Sequence, residues 1–102
     1  MKKEIAPLFA SRLDEVKVLC EQLNIEELFF FGSSINGQFV EGKSDLDVLV
    51  NTDNEYMKSI VKLNIELRKM FGCSVDIFHT KWKKHQELKE YLKENKVLIY
   101  KR

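Results

Sequence analysis

The chain has 102 residues, 44% of them hydrophobic, and its 17 basic and 16 acidic side chains leave a formal net charge of +1. This length predicts one domain over residues 1–102, and the small net charge makes extended nucleic-acid binding unexpected. The sequence has no apolar run long enough for a membrane helix and no signal peptide, and Cys20 and Cys73 lack metal-ligand spacing. These features predict a soluble cytoplasmic protein with reduced thiols.

The first half of the chain predicts a helix, a strand and a loop. The helix runs from Pro7, which suits a first turn, to Asn24, which tolerates a left-handed cap. Leu28–Phe31 is a continuous apolar run of strand length, as expected of a central strand buried on both faces. Residues 34–44 contain two glycines, which allow only a short helix and a loop.

The second half continues the alternation of helices and strands. The predicted elements are a strand Asp45–Val50, a helix from a capping box of Thr52 and Glu55 to Phe71, a strand Gly72–Phe78, a helix after Thr80 and an edge strand Val97–Tyr100. Helices that alternate with strands indicate an α/β arrangement with one sheet.

The segment from Gly32 to Asp47 suggests a site for phosphate and metal. Asp45 and Asp47 are two residues apart in a predicted strand, so both side chains leave the same face, roughly 7 Å apart at the backbone. Two carboxylates so placed suit Mg²⁺, which takes a few carboxylates together with substrate phosphates. Gly32 lets the main chain approach an anion closely, and Ser33 offers a hydroxyl donor. The pattern indicates nucleoside triphosphate chemistry.

A third acid, Asp76, lies among apolar residues of the third predicted strand. A buried carboxylate needs a partner or a metal, so we expect Asp76 on the sheet face that carries Asp45 and Asp47. Divalent ions, two Mg²⁺ or alternatively Mn²⁺, would remove the repulsion among three acids and support in-line attack on phosphorus.

The order of these residues resembles the DNA polymerase beta nucleotidyltransferase superfamily, in particular its minimal nucleotidyltransferases. The matching features are Gly32-Ser33, eleven intervening residues, Asp45-Leu46-Asp47 and the later Asp76, and the likeness covers most of the chain. It implies a mixed sheet flanked by helices, the palm-like fold of polymerase beta. It also implies that Asp45, Asp47 and Asp76 are catalytic and metal-binding residues.

The nucleotide-binding loop departs from the family pattern. Many members carry an arginine soon after the Gly-Ser pair, where this chain has Ser34–Asn36. Arginine binds phosphate through a fixed fork of donors, so its absence leaves tight binding and activity open. Phosphate contacts would then come from Gly32, Ser33, Ser34 and Lys43, although Ser34 and Lys43 are equally consistent with solvated loop residues.

The resemblance implies a Mg-dependent enzyme that moves AMP from ATP to a hydroxyl acceptor. A chain this short has no acceptor domain, and minimal members are often encoded beside HEPN-type helical proteins as antitoxins, so a HEPN-type partner is expected and self-association is left open. The alternative is a weak or inactive antitoxin-like subunit that neutralises its partner by contact, which the missing arginine favours. Nucleotidylation of small molecules such as aminoglycosides is a weaker third hypothesis.

Several residues have ordinary interpretations beside functional ones. An isolated Asp45 is more often a turn residue, and His79 at a strand end is more often a surface residue than a base. The lysine run from Lys81 to Lys89 is more often a solvated helix face than a nucleic-acid contact. Trp82 and Tyr91 more often pack than stack on a base.

Overall fold

Four helices and four strands alternate along the part of the chain that the structure, a computed structural model, describes: residues 3–52, 56–81 and 86–102. In chain order they are α1 (Pro7–Ala10), α2 (Leu13–Gln22), β1 (Glu27–Phe31), a 3-10 turn (Gly32–Ser34), β2 (Leu46–Asn51), α3 (Tyr56–Phe71), β3 (Val75–His79), α4 (Gln86–Leu92) and β4 (Lys96–Lys101). This order confirms the predicted α+β fold class.

The strands form one mixed sheet in the order β3-β2-β1-β4. Strand β1 runs antiparallel to both of its neighbours, whereas β2 and β3 are parallel and are connected through α3. The mixed sheet implied by the resemblance is therefore confirmed, as are the interior position of β1 and the edge position of β4. Strand β3 forms the other edge.

The core lies between one face of the sheet and the helices. Leu28 and Phe30 of β1 face Val50 and Val48 of β2, and all four are fully buried. Phe9 of α1 is also fully buried, and its ring packs edge-on against Phe30 at 5.6 Å between centroids. Full burial of such side chains contributes about 1.5–3 kcal/mol each, so this face dominates the stability of the fold.

The prediction of one continuous first helix is wrong, because the helix is interrupted at residues 11–12. Arg12 has φ −129°, outside the helical range, so α1 ends and α2 begins separately. The Arg12 guanidinium donates to the Met70 carbonyl and lies 5.8 Å from the centre of the Phe71 ring. This contact with the end of α3 is a tertiary interaction that helical spacing does not reveal. The left-handed cap at Asn24, with φ 56°, is confirmed.

Smaller differences concern the ends of the later elements. Strand β2 begins at Leu46 rather than at Asp45, and β3 begins at Val75 rather than at Gly72. The Thr52 hydroxyl donates to the Asn24 carbonyl at 3.3 Å, while Glu55 of the predicted capping box lies outside the described residues.

Three further results concern the sequence hypotheses. Trp82 and residues 83–85 of the lysine run also lie outside the described ranges. Among the helices that the structure describes, none has both the length and the apolarity needed to cross a membrane. Cys20 and Cys73 are both free thiols.

Candidate active site

Asp47 and Asp76 are neighbours on adjacent parallel strands. Asp47 of β2 is the register partner of Asp76 on β3, and on its other side it is the partner of Phe31 on β1. Register partners point to the same face of a sheet and lie about 5 Å apart. The two acids therefore lie together on the face opposite the helical core, close to the start of both parallel strands.

The electrostatics of Asp47 reflect this crowding. Its pKa is raised from 3.8 to about 6, first by burial and then by the charges of Asp76 and Asp45. A hydrogen bond between the Asp47 and Asp76 carboxyl groups adds to the effect, since it requires a proton on one of them. The causes that raise the Asp47 pKa therefore include two neighbouring acids.

Asp45 lies in the exposed turn that precedes β2, and its charge contributes to the raised pKa of Asp47. Asp76 is also exposed, so the expectation that it is buried is wrong. The reason is that β3 is an edge strand. In the described part of the chain, no three His, Cys, Asp or Glu side chains converge closely enough to hold a metal ion. The structure brings Asp47 and Asp76 together and leaves Asp45 at their margin.

Gly32 touches the Asp47 carboxylate. Its φ of 73° lies in the left-handed region, and a Cβ added there would lie 2.6 Å from Oδ2 of Asp47. Any side chain at this position would push the carboxylate away and would also strain the backbone. Glycine is therefore required both for the turn and for the position of the acid.

The two serines of the turn differ in their surroundings. Ser33 is half-buried at the start of the 3-10 turn, where a helix leaves main-chain N–H donors unused. Ser34 is fully buried, and its hydroxyl donates to the Phe31 carbonyl at 3.0 Å. Lys43 lies exposed in the turn before Asp45. Ser33 and Lys43 are thus accessible to a ligand, whereas the Ser34 side chain stabilises the turn from within.

His79 has a structural environment rather than a surface one. It is buried at the far end of β3, its Nε2 lies 3.2 Å from the Thr52 carbonyl, and its Nδ1 accepts from the Lys81 N–H at 2.9 Å. Burial lowers its pKa. These contacts connect the ends of β2 and β3 and leave the imidazole three residues along the strand from Asp76.

Two neighbours of the acids were missed by sequence reasoning. Phe31 lies beside Asp47, and its ring packs against Phe78 at 5.6 Å between centroids on the same face. Cys73 lies close enough to Asp45 for that charge to contribute to its raised pKa, after the larger effect of burial. An apolar run and a lone cysteine carry no local signal of such positions, because both depend on strand register.

Comparisons with known proteins agree with this geometry. A family model described as polymerase beta, nucleotidyltransferase matches residues 14–102. The sequence has no match among curated proteins. A solved structure described as a minimal nucleotidyltransferase shares the fold with a TM-score of 0.72 at 23% identity, over 87% of this chain and 90% of that one.

Two toxin–antitoxin complexes also contain chains with this fold. One, a toxin–antitoxin with AMP-PNP, aligns with a TM-score of 0.70 at 17% identity, over 88% of this chain and 73% of that one. The other is a tri-AMPylated Shewanella oneidensis HEPN toxin with its MNT antitoxin, with a TM-score of 0.62 at 14% identity, over 91% of this chain and 72% of that one. Because the family model spans most of the sequence, the chain belongs to the polymerase beta nucleotidyltransferase family.

Proposed function

We propose that this protein is a metal-dependent nucleotidyltransferase whose reaction centre is the acid pair Asp47 and Asp76, with Asp45 beside it. The observation that carries the proposal is the position of this pair: the two acids are register partners, and the Asp47 carboxylate lies against the Gly32 turn. A half-buried carboxyl group whose pKa is raised by burial and by neighbouring acids, as for Asp47, is an expected feature of a site built for cations.

The chemistry of these donors suits Mg²⁺ or Mn²⁺. Both ions favour carboxylate oxygens, and a cation would replace the proton that Asp47 and Asp76 share. Asp47 and Asp76 would hold the metal, and Asp45 would join them from the turn before β2. When bound, the metal supplies charge neutralisation and orientation of the phosphates.

The remaining residues act on the nucleotide and on the acceptor. The Ser33 hydroxyl and main-chain N–H would donate to the triphosphate, and Lys43 would add a positive charge from its exposed turn. Gly32, which has no side chain, leaves room for the Asp47 carboxylate beside the turn. Asp76 is exposed at the edge of the sheet, where an incoming hydroxyl can reach it, and would accept the proton of that hydroxyl.

We further propose that the acceptor hydroxyl belongs to a HEPN-type helical partner. Its oxygen would bond to the α-phosphorus of ATP, the bond between the α- and β-phosphates would break, and pyrophosphate would leave. The basis is the chain's likeness in fold to one protein solved with AMP-PNP and to another solved with a tri-AMPylated HEPN toxin. Asp76 is also exposed, so a partner is needed to enclose it and to shield the site from water.

A second candidate is a subunit that neutralises its partner by contact alone. Two observations favour it: no arginine follows the Gly-Ser pair, and Ser34 is turned inward. Both would weaken the binding of triphosphate without affecting the surface of the domain.

Incubation with ATP labelled at the α-phosphate, Mg²⁺ and a co-expressed HEPN-type partner would separate the two candidates. We expect label on the partner with wild-type protein, none with Asp47→Asn or Asp76→Asn, and unchanged labelling with Asp14→Asn, an exposed acid on α2. Neutralisation of the partner without any label would favour the contact mechanism. Equal labelling by wild type and Asp47→Asn would contradict the proposed centre.

A further inference from the structure

Strand β3 is an edge of the sheet, and in the described part of the chain no strand pairs with its outer side. The Ser74 carbonyl accepts from the Leu46 N–H, and the Thr80 N–H donates to the Val50 carbonyl, both at 2.9 Å. The main chain of a strand alternates in direction, so the even-numbered residues of β3 bond to β2 and the odd-numbered ones face outward. Ile77 is one of these outward residues, and it lies at the sheet edge that also carries Asp76.

One outward carbonyl is already capped. The Asn64 side chain on α3 donates to the Val75 carbonyl at 2.8 Å. Ile77 is the next outward residue along β3, and among the described residues no hydrogen bond reaches its N–H or carbonyl from outside the sheet. An exposed donor and acceptor of this kind provide a template for an added strand.

A cleft of about 710 Å³ lies between the last turns of α3 and the start of β3. It is lined by Ile65, whose side chain is 41% exposed, and by the basic residues Arg68 and Lys69. Glu66 is 3.9 Å from the Lys69 ammonium, an exposed contact too weak to remove that charge. The cleft therefore combines an apolar contact with positive charge.

We infer that the β3 edge and this cleft bind an extended acidic segment of a protein partner, which adds to the sheet as a fifth strand. Main-chain pairing with Ile77 would give affinity, and acidic side chains directed at Arg68 and Lys69 would give selectivity. A second copy of this chain fits less well, because its other sheet edge, β4, carries Lys96 and Lys101 and would meet like charge.

The added strand would also pass the acid pair. Side chains of the added strand would alternate between the two faces of the sheet. Every second residue would face the cleft, and the residues between them would lie on the face that carries Asp47 and Asp76, about 5 Å from Asp76. A serine, threonine or tyrosine at that position would present its hydroxyl to Asp76. This last step depends on the proposed transfer reaction, whereas docking of the segment does not.

A synthetic peptide can test the docking directly. The probe is a fluorescein-labelled decapeptide of alternating valine and glutamate, with fluorescence anisotropy as the readout, and its matched control alternates valine with lysine. We expect the glutamate peptide to bind wild-type protein at least tenfold more tightly than the lysine peptide. The double variant Arg68→Glu, Lys69→Glu should reverse this preference, and Lys17→Glu, an exposed position on α2, should not.

Pairing with the edge is tested separately from charge. Methylation of alternate main-chain nitrogens in the glutamate peptide should lower its affinity at least tenfold, and the unmodified peptide should slow hydrogen exchange of the Ile77 amide. Failure of the glutamate peptide to bind, equal affinity for the methylated peptide, or no protection of Ile77 would each overturn the inference. ATP and Mg²⁺ titrated into the same protein report on the acid pair independently, so failure at the edge is distinguishable from failure of the proposed function.

Discussion

Replacement of Asp47 by asparagine is expected to stabilise the metal-free protein. Asparagine has nearly the shape of a protonated aspartate, and it removes the repulsion from Asp76 and Asp45 that, after burial, raises the pKa of Asp47. The same change removes a carboxylate from the proposed metal site. One substitution should thus raise the free energy of unfolding and abolish the stabilisation that Mg²⁺ provides.

The size of the effect follows from the pKa. A rise from 3.8 to about 6 corresponds to about 3 kcal/mol if every charge is fully felt. The carboxyl group is only half-buried, so solvent screening reduces this to about 1–1.5 kcal/mol. For a domain of this length, that amounts to a rise in Tm of roughly 4–10 °C.

The effect has a definite dependence on pH. Because the pKa is raised on folding, Asp47 loses its proton at a lower pH in the unfolded chain than in the folded one. The contribution of the Asp47 carboxyl group to the stability of the wild type is therefore complete below pH 3.8 and is lost as pH rises through about 6. The difference between Asp47→Asn and wild type should be small at pH 4, grow between pH 4 and 6, and remain constant above pH 7.

Urea denaturation measures the effect. Wild type and Asp47→Asn are compared across this pH range, both without metal and with about 10 mM Mg²⁺. Asp14→Asn, an exposed acid on α2, controls for the loss of a negative charge alone. If Asp47→Asn is less stable than wild type at pH 8 without metal, or if its difference from wild type does not change with pH, the repulsion argument is refuted.

Three further predictions concern other parts of the site and fold. Gly32→Ala should lower the free energy of unfolding by about 2–3 kcal/mol and abolish Mg²⁺ binding, because it adds both backbone strain and a clash. Gly37, with φ 80° and no neighbour within 4 Å, is the control, and Gly37→Ala should lower it by only about 1 kcal/mol. Equal losses in urea denaturation would contradict this prediction. Asn36→Arg should tighten ATP binding about tenfold by calorimetry, whereas an unchanged Kd would show that the loop points away from phosphate. Burial lowers the pKa of His79, so stability should fall as pH drops below 6.5, and His79→Gln should flatten that fall in urea denaturation; an unaltered pH profile would exclude His79 as its source.

Strand alternation is a local rule, and it predicts the sheet face of Asp47, whereas Asp45 lies just before β2 rather than in it. Asp45 and Asp47 are close in the chain, and a strand of apolar residues around Asp47 indicates a special environment. The pairing of Asp47 with Asp76 is different in kind. Strands β2 and β3 are joined through α3, so their register depends on how that helix packs, and spacing alone does not specify it.

Other errors have the same origin in tertiary contacts. The break between α1 and α2 accompanies the contacts of Arg12 with the end of α3, which lies 58 residues along the chain. For Ser34 the sequence is consistent with a phosphate donor and with an ordinary loop residue, and in the structure its hydroxyl donates to the Phe31 carbonyl within the turn. A polar residue in a loop has several partners within reach, and composition does not choose among them.

At the acid pair, the arrangement that suits the proposed chemistry lowers the stability of the metal-free fold. The Asp47 carboxylate lies against the turn, in the space that Gly32 leaves open. The register of β2 with β3 places Asp76 beside it, so the two acids have little freedom to separate. A proton relieves this repulsion at low pH, and a cation would relieve it near neutral pH. The contacts that destabilise the metal-free protein are therefore the same ones that favour a cation at this position. Asp47→Asn tests the repulsion and the cation binding with one change.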